Sequence, residues 1–195
     1  MKKIVALIFT GLLTLPHFAS ANEACDDLWF VRNSIFDAKG YCFGSVLGKS
    51  VFNNSDCTTK SPNLSAKSIA KVAQVKAMEK QWECRVDSNR NTLDIHSFDL
   101  RRKLIEQPIH DFTESGCSNY LGKDVPLYAG PDTSSEIIGY IRTGSDFVNS
   151  HISFDETTNA KWFFVSGMSE NDLTVPDIGW SNHENIFNEC ELAAG

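Results

Sequence analysis

Val125-Pro126-Leu127-Tyr128-Ala129-Gly130-Pro131, followed after a Ser/Thr-rich loop by Ile137-Ile138-Gly139-Tyr140-Ile141-Arg142-Thr143-Gly144, decides the fold of the second half of this 195-residue chain. Short apolar runs that stop at Gly-Pro and Thr-Gly read as strands joined by tight turns, too interrupted for helices. Trp162-Phe163-Phe164-Val165 and Gly179-Trp180 continue the pattern downstream.

This order resembles the bacterial SH3-like (SH3b) domain across residues 118–189. The resemblance implies a small β-barrel used for recognition at the cell envelope. A small barrel buries alternate residues, which makes Ile137, Ile141, Phe147, Phe163 and Val165 core candidates. In SH3b relatives that bind peptidoglycan, a groove beside the strand-linking loops receives a peptide stem. Carried over by motif position, Tyr128, Asp132, Trp162 and Trp180 become the candidate ligand-binding residues. Large amphipathic rings often line such grooves; the competing reading makes Trp162 and Trp180 plain core. The chain departs from the family in two places. The connection Ser166 to Ile178 is long, and polar Ser181-Asn182-His183-Glu184-Asn185 follows Gly-Trp.

At the other end, Lys2-Lys3, the apolar run Ile4 to Leu15, Pro16 and small Ala19-Ser20-Ala21 read as a secretory signal, residues 1–21, cleaved after Ala21. The run is too short to span a bilayer as a helix, and no later stretch is long and apolar enough. The expected product is periplasmic or secreted, without membrane insertion. Over residues 22–116, Lys+Arg and Asp+Glu balance at 13 each; residues 117–195 carry three basic residues against 12 acidic ones, or −9. That change places a boundary near Gly116. It also argues against nucleic acid as a partner, because an acidic surface repels phosphate.

In the first half, Asp26-Asp27 ahead of Leu28, Trp29, Val31, Ile35 and Phe36, with Gly40 at the close, reads as an acid-capped amphipathic helix. Ser45 to Asn53 is a second, shorter helix. Ser65 caps a third from Ala66 to about Glu83, with Ile69, Val72, Ala73, Val75, Met78 and Trp82 facing inward. The run Val31-Arg32-Asn33-Ser34-Ile35-Phe36-Asp37-Ala38-Lys39-Gly40-Tyr41-Cys42-Phe43 resembles a YARHG-type domain over about residues 26–84, with Phe36 to Gly40 at the naming motif. The resemblance implies an extracytoplasmic module and no particular activity. Arg32, Asn33 and Asp37 are read as satisfying polar groups within that fold, the alternative being a small recognition surface. Ser97 to Ile105 is a short helix stopped by Pro108, and Arg101-Arg102-Lys103 on it is expected to be a solvated basic face, the alternative being that it docks the two domains together.

The plan is therefore a signal (1–21), a YARHG-like helical domain (22–90), a linker with a short helix (91–116), an SH3-like barrel (117–190) and a tail (191–195). In fold class this is α+β, a small disulfide-braced three-helix domain followed by a barrel.

Six cysteines in an exported chain imply disulfides. Cys117 and Cys190 flank the expected barrel, where a bridge would clasp its ends. Cys25, Cys42, Cys57 and Cys84 are expected to pair among themselves, as Cys25–Cys84 and Cys42–Cys57. Metal binding lacks the usual Cys-x-x-Cys or Cys-x-x-His spacing. No His-Glu-x-x-His helix, Gly-x-Ser-x-Gly elbow or phosphate-binding glycine loop stands out either. The adjacent pairs Asp26-Asp27 and Asp155-Glu156 read as caps or turns. The expectation is a non-catalytic binding protein without cofactor or metal, whose partner is a peptidoglycan peptide or another envelope component. The alternative is an inhibitor or immunity protein for a basic envelope-degrading enzyme, which the acidic second half would attract.

Overall fold

The computed structural model describes residues 19–95, 97–152, 162–168 and 177–195. The expected signal up to residue 18, His96, Asp155-Glu156 and most of the long connection after Ser166 lie outside the described residues.

The first half is helical: α1 (Ala19–Asp37), α2 (Val46–Val51) and α3 (Ala66–Gln81). Ser45 and Ser65 cap α2 and α3, their hydroxyls accepting from the Gly48 and Ser68 amides, each at 3.1 Å. The chain leaves α1 through Gly40, whose φ of 72° disfavours L side chains; a Cβ there would also meet Thr58 Oγ1 at 2.5 Å. Asp26 and Asp27 are not caps, because α1 begins at Ala19 and both carboxylates are buried along it. Their partners come from far along the chain. Arg90 pairs with Asp26, and Arg101 Nη2 lies 2.7 Å from Asp27 Oδ1, a charge contact rather than an aligned hydrogen bond.

Helix α3 meets α1 through the row Lys71, Val72, Val75, Met78 and Glu79, where Arg32 Nε donates to both Glu79 oxygens at 3.0 Å. Ile69 and Ala73, expected inward, fall outside this i, i+3/i+4 row and are exposed. Trp82 sits at the helix end and is also exposed. Cys25–Cys84 ties α1 to the end of α3, Cys42–Cys57 closes the loop that carries α2, and Cys117–Cys190 crosslinks the second half.

Residues 91–116 do more than link. They hold α4 (Phe98–Arg101) and the start of strand β1 (Ile109–Tyr120). Leu104 packs with Phe164, Ile178 and Trp180, while Ile109 is buried against Leu28, Val31 and Val75. One short segment thus enters both cores. Arg101, expected on a solvated face, is only 4% exposed. It stands between the Asp27 carboxylate and the Phe164 ring, 5.6 Å from its centroid, and these contacts offset its desolvation. Arg102 and Lys103 are exposed.

The remaining strands are β2 (Val125–Tyr128), β3 (Ile137–Ile141), β4 (Asp146–Ile152), β5 (Phe163–Met168), β6 (Ile178–Ser181) and β7 (Cys190–Ala194), with a 3-10 turn over Ile186–Glu189. They form one antiparallel sheet in the order β3-β2-β6-β5-β4-β1-β7. The expected SH3-like barrel is not closed, since β3 and β7 are edges that do not pair with each other. The pairing of β7 along the outer edge of β1, fastened by Cys117–Cys190, commits it there instead. The sheet still curls, because Tyr120, Leu127, Ile141, Phe147 and Val165 from five strands share one core. Ile137 is not part of it. A register shift between Leu127 and Tyr128 puts Ile137 out of step, and it is 44% exposed. Phe163 is half-buried, and its neighbour Phe164 is the buried ring.

Candidate functional site

The ligand-binding residues expected on the sheet do not share an open groove. Trp180 is fully buried, edge-to-face with Phe164 at 5.5 Å, and its Nε1 donates to the Glu106 carbonyl at 2.9 Å. Gly179 precedes it because β6 runs close to β2: a Cβ there would meet the Tyr128 carbonyl oxygen at 2.9 Å. Tyr128 and Trp162 are half-buried, paired edge-to-face at 5.8 Å on the flank of the same cluster. Asp132 stands apart on the exposed β2–β3 turn, where the Ser134 amide donates to its Oδ1 at 2.8 Å and holds its pKa below the usual carboxylate value. The rings are core, and the acid is a turn residue.

A cleft of about 560 Å³ lies elsewhere, where the helical half meets residues 102–107. Helix α1 contributes Phe30, Ile35 and Asp37, the end of α2 contributes Val51 and Phe52, and the first turns of α3 contribute Lys67 and Lys71. The facing wall is Arg102 to Gln107. This wall has no regular structure, so its rigidity comes from side chains. Ile105 N donates to the Ala129 carbonyl at 2.9 Å, and Trp180 holds the Glu106 carbonyl. Gln107 Nε2 donates to the Arg101 carbonyl at 2.7 Å, while its Oε1 accepts from Arg101 Nε at 3.0 Å. Trp180, singled out by the sequence, therefore acts on the cleft by fixing its wall.

The electrostatics are mixed. Lys71 is 5% exposed, and its Nζ donates to the Gln107 carbonyl at 2.5 Å and lies 3.6 Å from Glu106. Burial lowers its pKa to about 8, against the opposing pull of Glu106. Lys67 is 3.5 Å from the same carboxylate. Asp37 is shifted upward by burial and by Asp56, with Arg102 acting the other way. An apolar-walled concavity in the size range of ligand pockets, with convergent charges and shifted titrations, is where binding is expected. Sequence reasoning missed it because its walls come from four separate segments. Asp37 was read as a polar residue serving the helical fold, Lys39 was visible only as part of the Phe36 to Gly40 motif, and Arg102 only within a basic run.

A second, more open concavity of about 620 Å³ is lined by Tyr120, Gly122, His183 and Glu189 among others. Tyr120 Oη donates to Glu189 Oε2 at 2.6 Å, and His183 Nε2 lies 3.4 Å from the same oxygen. The Tyr120 bond holds the Glu189 pKa below its usual value, while burial raises that of the phenol. Among the described residues, no group of three His, Cys, Asp or Glu is placed to hold a metal ion, and no helix is long and apolar enough to cross a membrane.

Comparison with known families assigns both halves of the chain. The YARHG domain matches residues 2–80 and the domain of unknown function DUF4453 matches residues 83–195. No SH3-like family is among these matches. Neither a curated protein nor a solved structure gave a match. Three disulfides together with a YARHG domain point to an extracellular location. With more than half its length, all of the sheet included, matched by one family, the chain belongs to the DUF4453 family and carries a YARHG domain ahead of that region.

Proposed function

We propose that the protein is an exported, non-catalytic binding protein of the cell envelope, and that its ligand seat is the cleft between the helices and residues 102–107. The cleft's size and apolar walls, with a buried lysine at its base, carry this reading. The target is peptidoglycan or another envelope component. Export by a signal cleaved after Ala21 belongs to the same reading, and a mature mass beginning at Asn22 would support it. The SH3-like resemblance of residues 117–190 rests on the sequence motifs alone. The curled sheet supports the cleft wall through Trp180 and Ala129.

Calorimetric titration with soluble peptidoglycan fragments and with an envelope extract tests the proposal. Ser68→Trp, which places a ring at the cleft, should abolish whatever binding the parent chain shows. Equal binding by parent and variant would remove the cleft as the seat. A second reading rests on the −9 charge of residues 117–195, which suits an inhibitor of a basic envelope-degrading enzyme. Pull-down with exported cell-wall hydrolases, repeated at high salt, separates the two.

A further inference from the structure

The charge of the cleft narrows its ligand, and this inference rests on the cleft being the binding seat. The helical half is balanced in sequence, but four of its acids pair inside the fold. Asp26 is taken by Arg90, Asp27 by Arg101, and Glu79 by Arg32, while Glu106 serves both Lys67 and Lys71. Two cations at the cleft remain. Lys39 and Arg102 both line it and both are exposed, and among the described residues neither has an acid within ion-pair distance. Arg102 instead rests over the Phe98 ring, 5.8 Å from its centroid. Asp37 also lines the cleft; burial and Asp56 raise its pKa while Arg102 lowers it, a longer-range attraction without an ion pair. Below these cations the walls are apolar, formed by Phe30, Ile35, Val51 and Leu104.

We infer that the cleft takes a single-chain amphiphile with a carboxylate or phosphate head. The apolar chain lies against Phe30, Ile35, Val51 and Leu104, and the head is held at the mouth by Lys39 and Arg102. Arg102 presents a planar fork that matches either head in a bidentate contact. The opposite arrangement, a cationic head at this mouth, meets two unpaired positive charges. A wholly apolar ligand makes no use of either cation, and both stay hydrated at the exposed mouth. A volume of about 560 Å³ suits a small molecule, not a folded partner.

The test uses four probes of equal chain length, below their micelle concentrations, with the mature chain: decyl phosphate, decanoate, decanol and decyltrimethylammonium. Decyl phosphate and decanoate should bind at least roughly tenfold more tightly than decanol, a difference within reach of two charge contacts. Decyltrimethylammonium should bind most weakly. The double variant Lys39→Glu, Arg102→Glu alters two exposed side chains, so the fold is retained. It should erase the preference for anions while leaving decanol affinity unchanged. Equal binding of decanol and decyl phosphate would overturn the head-group inference while leaving the cleft as a seat. Binding of all four that Ser68→Trp leaves unaltered would remove the cleft itself. Sedimentation of the chain with phosphatidylglycerol vesicles, without binding of monomeric decyl phosphate, would mean adsorption to a charged surface and would also overturn the inference.

Discussion

Lys71 offers the sharpest test of how the cleft is built. Its ammonium is 5% exposed, and its pKa is lowered from 10.5 to about 8, chiefly because burial penalises the charged form. The gap between those two values corresponds to about 3 kcal/mol. The sign follows from proton binding. Between pH 8 and 10.5 the unfolded chain holds a proton on Lys71 that the folded chain has released, so stability contributed by this residue rises with pH across that window. Below pH 8 both states are protonated and the full penalty stands. Lys71→Met removes the charge but keeps an unbranched side chain. At pH 7 the variant avoids a penalty of about 3 kcal/mol, less roughly 1 kcal/mol for the lost bond to the Gln107 carbonyl. It should therefore be more stable than the parent by about 2 kcal/mol there, and the advantage should vanish and reverse slightly by pH 10.5. Urea denaturation followed by circular dichroism, at half-unit steps from pH 7 to 10.5, measures the difference. With no free cysteine among the described residues, thiol exchange does not confuse the alkaline end. A difference between variant and parent that stays flat over the whole range would refute the desolvation argument.

Other perturbations probe the junction and the sheet. Arg101→Ala removes one side of a buried ion pair with Asp27 and should cost about 3–5 kcal/mol in urea melts, whereas Arg102→Ala should stay within about 0.5 kcal/mol. Trp180→Phe keeps most of the packing but drops the bond to Glu106, so it should cost on the order of 1–3 kcal/mol and weaken cleft binding from a distance. Asp132→Ala and Tyr128→Phe should leave ligand affinity unchanged, since neither side chain lines the cleft; a loss above about fivefold in calorimetry would return the site to the sheet. Replacing Cys117 and Cys190 together by alanine opens a link that spans 73 residues, and chain entropy sets the loss at about 4 kcal/mol by denaturation.

The sequence by itself determined the local pieces. Ser45 and Ser65 before apolar stretches announced two helix starts, because a hydroxyl that accepts an orphan amide acts within one turn of chain. Gly40 marked a helix end and Gly-Pro a turn, since φ restrictions belong to single residues. An even cysteine count in a chain with an apparent export signal spoke for disulfides, and the YARHG resemblance was carried by a contiguous run. Tertiary structure alone decided what depends on distant partners. Asp26 and Asp27 looked like caps until Arg90 and Arg101 arrived from more than 60 residues away. Arg101 looked solvated because nothing local says that a phenyl ring and a carboxylate will enclose it. The sheet's failure to close was equally invisible, because β7 has two possible edges to join and only the pairing with β1 settles which. The cleft is the extreme case. Its walls come from α1, α2, α3 and an irregular segment fixed in part by an indole on the sixth strand, and no periodicity along the chain encodes such a meeting.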